Sequence, residues 1–199
     1  MRQQSYKVSG IFAGSPADNM IIRKLKQIDK NEFDGLGRNG YTSEKMYAVD
    51  ARPINDDATF HISLQQLPAP FVKNWKTTAG EITALNHIIA TGHSFGAYEN
   101  EQLVGMAVCE ERTWNNTLYI ENILVAEKYR GQKVGTQLIE ALISHARVKQ
   151  LRLIELETQN TNAPAIAFYR QQGFAITGLN MKLYNQENSE IAIFMTYQL

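Results

Sequence analysis

Apolar and polar positions alternate along most of this chain, and the period of the alternation changes from segment to segment. Residues 20–27 read as a strand, with Ile22 set against the Arg23-Lys24 pair. Residues 29–36 read as a short helix, closed by Gly35, Gly37 and Gly40. In 45–51 and 59–67 the period is two: Met46 and Ala48, then Phe60, Ile62 and Leu64, alternate with polar residues. The stretch Arg52 to Asp57 between them is turn chemistry, so the pair reads as a hairpin that Pro68 and Pro70 should end. In 81–91 the period becomes helical, with Ile82, Leu85, Ile88 and Ile89 on one face and Gly92 as the stop. Residues 93–98 and 102–110 form a second predicted hairpin, and Trp114-Asn115-Asn116 turns into a strand at 117–125. A helix over 135–149, a strand over 151–158 and a helix over 162–172 follow. A strand pair at 174–184 and 189–197, around Asn185 to Asn188, ends the chain. Hairpins first, then strand–helix–strand–helix, then a terminal hairpin predict an α/β fold with a mixed sheet of six or seven strands.

Composition narrows the function. The chain has 199 residues, enough for one full core, so 20–199 reads as a single domain behind a polar, loose leader at 1–19; Met20 can serve as a second initiation point. Formal net charge is +0, so no global field draws the chain to nucleic acid or a membrane. The single cysteine, Cys109, lies in an apolar run and reads as a packed core thiol, and the four histidines show no metal-ligand spacing. No run is long enough for a transmembrane helix or a secretory signal, and the expected setting is the cytoplasm. No metal is expected.

Two stretches carry chemistry. The first runs from Tyr119 to Gly135, where a strand passes through Arg130-Gly131-Gln132-Lys133-Val134-Gly135 into a helix. A glycine-bearing turn before a helix presents free N–H groups and the positive end of a helix dipole, so a phosphate is the natural guest, with Arg130 and Lys133 adding charge. A plain strand-to-helix connection would leave the same trace. The second is Asn162-Ala163-Pro164-Ala165-Ile166-Ala167-Phe168-Tyr169. Pro164 suits a first helical turn, Asn162 can cap it, and Tyr169 lies nearly two turns on, along the same face. A capping Asn and a buried Tyr account for it equally well.

Together the two stretches resemble the GCN5-related N-acetyltransferase (GNAT) superfamily. That superfamily has an Arg/Gln-x-x-Gly-x-Gly/Ala turn after its fourth strand and an Asn…Tyr helix after its fifth. Lys133 stands where the pattern has its middle glycine, and Gln172-Gly173-Phe174 matches the usual exit. Within the superfamily the chain resembles streptothricin (nourseothricin) acetyltransferases. Trp114-Asn115, Tyr119-Ile120-Glu121, Leu156-Glu157-Thr158, Leu183-Tyr184 and the strand from Glu190 to Met195 carry that likeness. Asn122 departs from the family's Glu-Asp pair, and the basic Lys73 to Thr77 replaces an acidic run. A polycationic antibiotic should prefer carboxylates at both places.

The resemblance implies a mostly antiparallel sheet flanked by helices, with splayed central strands, and transfer of an acetyl group from acetyl-CoA to a primary amine. It implies that Arg130, Gly131, Gln132, Lys133, Val134, Gly135 and Thr136 hold the pyrophosphate. Ile123, Leu124 and Val125 would bond the pantetheine arm, with an N–H near Leu124 polarising the thioester, and Asn162 and Ala165 would complete the cofactor site. Glu121 is the first candidate for the base, Glu157 the second, and Tyr169 the acid for the leaving thiolate. Cross-strand salt bridges are the alternative for both carboxylates. Trp114, Asn122 and Tyr184, with Glu121 and Glu157, are candidates for the wall of the acceptor pocket, and Trp75 ranks below them. The expected partner is a small amine, and the state a monomer or homodimer. Rival readings are a GNAT for a polyamine, an aminosugar or a protein amine, a CoA-binding module without catalysis, and a dinucleotide-binding domain. The last lacks its glycine fingerprint after the first strand.

Overall fold

The structure, a computed structural model, describes residues 20–54, 57–185 and 190–199. Along them run β1 (Ile21–Lys24), α1 (Lys30–Gly35), β2 (Gly40–Ile54), β3 (Asp57–Asn74), α2 (Ala79–Ile89), β4 (Phe95–Glu99) and β5 (Gln102–Arg112). Then come β6 (Thr117–Val125), α3 (Val134–Val148), β7 (Leu153–Gln159), α4 (Ala163–Gln171), β8 (Ala175–Asn180) and β9 (Ala192–Gln198). The leader at 1–19 and most of the expected last turn lie outside the described residues. No described helix is long and apolar enough to cross a membrane.

Seven strands form one sheet in the order β1-β4-β5-β6-β7-β9-β8. Only β6 and β7 pair in parallel; the other neighbours are antiparallel, so the sheet is mixed and mostly antiparallel as expected. Leu103 to Cys109 of β5 are buried without a break, which requires cover on both faces. Both α2 and α3 pack on this strand. The face of α3 that does so carries Val134, Leu138, Ile139, Leu142 and Ala146, a helical stripe.

The early hairpin differs from expectation. β2 and β3 are longer than predicted and form a separate two-stranded ribbon. Pro68 and Pro70 do not end it. The ladder pairs Ser43 with Phe71 and next Lys45 with Gln66, so residues 67–70 bulge out opposite Glu44. Proline has no N–H to give, and a bulge asks for none. Asn160 fixes the ribbon to the body: its Nδ2 donates to the Tyr47 carbonyl (3.0 Å), and Tyr47 N–H donates to its carbonyl (2.9 Å). The terminal pair is shorter than predicted, because β8 stops at Asn180 and residues 181–184 turn.

One irregularity positions everything that follows. The β5–β6 register slips between Val108↔Asn122 and Cys109↔Ile120, leaving Glu121 as the unpaired residue of a β-bulge. A bulge bends its strand. The β6–β7 ladder accordingly ends at Ile120↔Leu156, although β6 runs on to Val125 and β7 to Gln159. The two central strands splay apart there.

Candidate functional site

The turn after β6 has the backbone of an anion cradle. A 3₁₀ turn at Glu127–Tyr129 leads to Gly131 at φ +76° and Lys133 at φ +64°, and α3 starts at Val134. Helices α1 and α2 close their N-termini with capping boxes, Asp29 with Glu32 and Thr78 with Glu81, and Asn162 caps α4. Helix α3 has no side-chain cap. The N–H groups of Val134, Gly135 and Thr136 precede any i−4 acceptor and stand free to meet an anion. Each small residue of the turn has its own reason. Gly131 takes a left-handed conformation, and a Cβ on Gly135 would come within 3.1 Å of the Phe168 ring, where α3 and α4 cross. Lys133 also holds the left-handed conformation, which accounts for the glycine that the family pattern has there and costs a side-chain-bearing residue about 1 kcal/mol.

Two residues of the turn sit differently from expectation. Arg130 is not a free charge: its guanidinium donates to the carbonyls of Val125 and Arg38, each at 3.0 Å, and so straps the loop before β2 to the end of β6. Gln132 turns away and donates to the Lys128 carbonyl at 2.6 Å, and it does not reach the cavity described next.

A cavity of about 650 Å³ fills the splay on the α3 side. Its walls are Ile123 to Val125, the turn through Thr136, Asn162, Ala165 and Phe168 of the α4 region, and Asn39 to Tyr41 with Trp75 from the ribbon base. Among the described residues Arg130 and Lys133 are its charged ones, and no carboxylate lines it. Strand geometry decides which backbone groups face it. Ala126 N–H bonds the Val104 carbonyl at 2.9 Å, so two residues back Leu124 is turned towards Met106. The groups left facing the splay belong to Ile123 and Val125. The N–H near Leu124 that faces the splay is that of Ile123, since Leu124 itself is turned to β5.

A second cavity of about 460 Å³ adjoins on the α2 side. It has the opposite sign: Glu81, Glu121 and Glu157 line it, and no Lys, Arg or His does among the described residues. The bulge brings both Glu121 and Asn122 to it. Burial, and then Glu110, raise the Glu121 carboxyl against the pull of Arg112. Glu157 is moved further, up to about 7, by burial first and then by Glu121, with Glu190 adding and Lys73 opposing. Tyr184 donates its hydroxyl to Glu157 Oε1, which favours the charged form, and accepts from Gln159 Nε2 at 3.0 Å. A carboxyl that titrates near neutrality can hold or release a proton at working pH. Asn122 Oδ1 is buried with no partner among the described residues.

Tyr169 stands where the cavities meet. It lines both, together with Ile123, Asn162 and Ala165. Its ring packs between Phe168 and Phe174, with centroids at 5.3 and 5.5 Å. Burial pushes its hydroxyl pKa up, so it stays a proton donor at any working pH.

The structure thus gathers Glu121, Asn122, Glu157 and Tyr169 on one side and the turn on the other; Tyr184 lines neither cavity and joins them only through its bond to Glu157. It does not gather Trp114, which is 82% exposed at the β5–β6 turn and lines neither cavity. Trp75, ranked lower in the sequence, lines both. Asn39, Tyr41 and Phe33 were missed altogether; their only signal was the aromatic within the basic stretch after β3, which lies beside them in space. Cys109 is buried as expected.

Comparison with known proteins bears on this geometry. A family model described as "Acetyltransferase (GNAT) family" matches residues 59–174, a span that holds both motif stretches. A streptothricin acetyltransferase of Streptomyces lavendulae is 41% identical over 174 residues, covering 85% of this chain and 88% of the relative. A crystal structure of a nourseothricin acetyltransferase superposes with a TM-score of 0.71 at 26% identity, over 90% of this chain and 98% of that one. A protein of Bacillus anthracis str. Ames assigned as a streptothricin acetyltransferase, solved in complex with acetyl coenzyme A, superposes with a TM-score of 0.69 at 26% identity. That match covers 90% of this chain and 99% of the other.

Proposed function

The chain belongs to the acetyltransferase (GNAT) family and is an N-acetyltransferase; from that premise we propose that it moves the acetyl group of acetyl-CoA to a primary amine of a small cationic molecule, a streptothricin-type antibiotic, by direct attack of the amine on the thioester. One observation carries the proposal: two cavities of opposite charge meet at Tyr169, one with Arg130 and Lys133, the other with Glu81, Glu121 and Glu157. An anionic cofactor and a cationic acceptor fit that arrangement, each on its own side.

Acetyl-CoA, when bound, supplies an electrophilic thioester carbonyl and a thiolate leaving group. The free N–H groups at the start of α3 would hold its pyrophosphate, and the Ile123 N–H and carbonyl with the Val125 N–H its amide-bearing arm, as an added strand would be held. Ile123 N–H is the donor available to the developing oxyanion. An ammonium of pKa near 10 is no nucleophile at neutral pH and must lose a proton. Glu157, balanced near pH 7, takes it directly or through water, while Glu121 holds the cation beside it. Tyr169 gives its proton to the thiolate. Its raised pKa makes that transfer favourable only to a thiolate that is equally desolvated, which the buried position at the junction provides.

Asn122 supports a second reading. It puts a neutral amide where the streptothricin family has an aspartate, which suits an acceptor with less charge, such as a polyamine or an aminosugar. Thiol release from acetyl-CoA, followed with streptothricin, spermidine, an aminoglycoside and a lysine peptide, tests both. Turnover with streptothricin alone is expected. Preference for another amine overturns the acceptor assignment, and release with none overturns the transfer.

A further inference from the structure

Tyr129 is the residue at which the anion cradle meets the core. It is buried and lines the cavity beside α3. Each of its polar groups is engaged. The N–H donates to the Ala126 carbonyl at 2.8 Å, the carbonyl accepts from Gln132 N–H at 3.3 Å, and the hydroxyl donates to Glu99 Oε2. The first two bonds shape the turn from within, and the third ties it to the end of β4. Glu99 is half-buried and lines neither cavity. It closes β4 opposite Gln102, across a two-residue turn in which Asn100 and Glu101 have φ of +48° and +64°. Such a turn is tight and leaves the strand end little freedom. Among the described residues Glu99 has no ion-pair partner, and Tyr129 is the one donor to its carboxylate. A hydroxyl donating to a carboxylate makes a charge-assisted bond, stronger than one between neutral groups.

We propose that Glu99 and Tyr129 are positioning residues for the cofactor: the bond between them holds the turn from Gly131 to Gly135 in its anion-binding shape before acetyl-CoA arrives. The turn needs such a hold. Gly131 and Lys133 are both left-handed, no side chain caps α3, and a Cβ on Gly131 would meet nothing within 4 Å, so packing does not fix that point. Two side chains of the turn bond to other elements among the described residues. Arg130 reaches the Val125 and Arg38 carbonyls from an exposed position, and Tyr129 reaches Glu99 from a buried one. A turn free to change shape would bind the same anion more weakly, because only the fraction already in the binding shape takes ligand at full affinity. Charge gives the proposal a sign. A carboxylate near an anion site opposes the anion on charge alone, so its removal would tighten binding. As a positioning residue Glu99 does the reverse, and its removal weakens binding.

This rests on the reading of the turn as the pyrophosphate site, and the test separates the two. CoA binding is measured by calorimetry, and amide hydrogen exchange by NMR, in the wild type, Tyr129→Phe, Glu99→Ala and Glu99→Gln. Tyr129→Phe and Glu99→Ala should each raise Kd for CoA by ~10-fold, the result when about a tenth of the free molecules keep the binding shape. Exchange at Gly131 to Gly135 should quicken in both free variants while the amides of β5 keep their wild-type rates, and saturating CoA should restore the turn. KM for acetyl-CoA should follow Kd, and KM for the amine should not. Glu99→Gln keeps an acceptor for the hydroxyl and should stay within about threefold of the wild type; a loss as large as in Glu99→Ala overturns the proposal. Tighter CoA binding in Glu99→Ala overturns it too, as does a fall in Tm with faster exchange in β5 and an unmoved Kd. If Tyr129→Phe does not fold, Kd and exchange in Glu99→Ala decide. Protection of Val134 to Thr136 by CoA in the wild type, with Kd unmoved in the variants, overturns the positioning role and leaves the pyrophosphate site standing. Absence of that protection overturns the site and the proposal with it.

Discussion

The cavity beside α3 and the cavity beside α2 share six lining residues and differ in how they recognise a guest. The first offers backbone: the uncapped start of α3 and the edge of β6 beyond its ladder with β7, at Ile123 and the Val125 N–H, with Arg130 and Lys133 among its lining residues. The second offers side chains: Glu81 from α2, Glu121 and Asn122 from the β6 bulge, Glu157 from β7. One bulged strand makes both, because it frees its backbone on one side of the splay and turns two side chains to the other. Backbone recognition is indifferent to most substitutions that keep the turn's shape. Side-chain recognition changes with a single residue. The account therefore expects cofactor use to be robust and acceptor choice to be malleable.

The sharpest way to break this comparison is at the junction, where both halves depend on one hydroxyl. Tyr169→Phe should lower kcat by on the order of 10²–10⁴ with the fold kept, read by steady-state turnover and circular dichroism; unchanged turnover removes Tyr169 from the chemistry. Next is the base. Wild-type kcat/KM should rise with pH through an apparent pKa near 7, and Glu157→Gln should lose that limb together with ~10²-fold or more in rate. The same residue makes a stability prediction. Its folded pKa of about 7 lies above its ordinary 4.5, so the folded state binds the extra proton. That contribution is full below 4.5 and is lost as pH rises through 7, so Glu157→Gln should gain in Tm relative to the wild type on going from pH 5 to pH 8.

A paired measurement sharpens the contrast between the halves. Glu121→Gln should raise KM for the amine by ~10-fold and leave KM for acetyl-CoA unmoved. Arg130→Ala should do the reverse, and should also lower Tm, because its strap to the Val125 and Arg38 carbonyls is lost. Both constants moving together in either variant would dissolve the distinction. The smallest effect tests the backbone half alone. Lys133→Gly relieves a left-handed side-chain-bearing residue and should stabilise by up to about 1 kcal/mol in denaturant unfolding, with acetyl-CoA still used. Destabilisation would mean that the Lys133 side chain, not the turn, matters there.

The same division explains what could be read from the sequence. The cofactor half is contiguous, a strand, turn and helix from Tyr119 to Thr136, so its glycines and helical period were legible, and the splay followed from the family resemblance. The acceptor half comes from the base of the ribbon, α2, the bulge and β7, which are distant in sequence. Glu121 and Glu157 could be named because they lie on the central strands. Asn39, which lines both cavities, and Tyr41, which lines the one beside α3, could not, since the folding of the ribbon onto Asn160 brings them to the cleft. Trp114 was preferred to Trp75 on local likeness, and the register of β5 with β6 puts it at an exposed turn instead. Pro68 and Pro70 looked like a stop because the four-residue bulge opposite Glu44 leaves no pattern of its own. The free N–H on Ile123, and not on Leu124, needed the Ala126–Val104 bond to set the parity.

A crystal structure of the protein with CoA and an unreactive amine tests the central claim most directly. The account predicts the pyrophosphate on the N–H groups of Val134 to Thr136, the sulfur within reach of the Tyr169 hydroxyl, and the amine between Glu121 and Glu157. CoA lying along the α2 cavity, or an amine that avoids the two carboxylates, would contradict it.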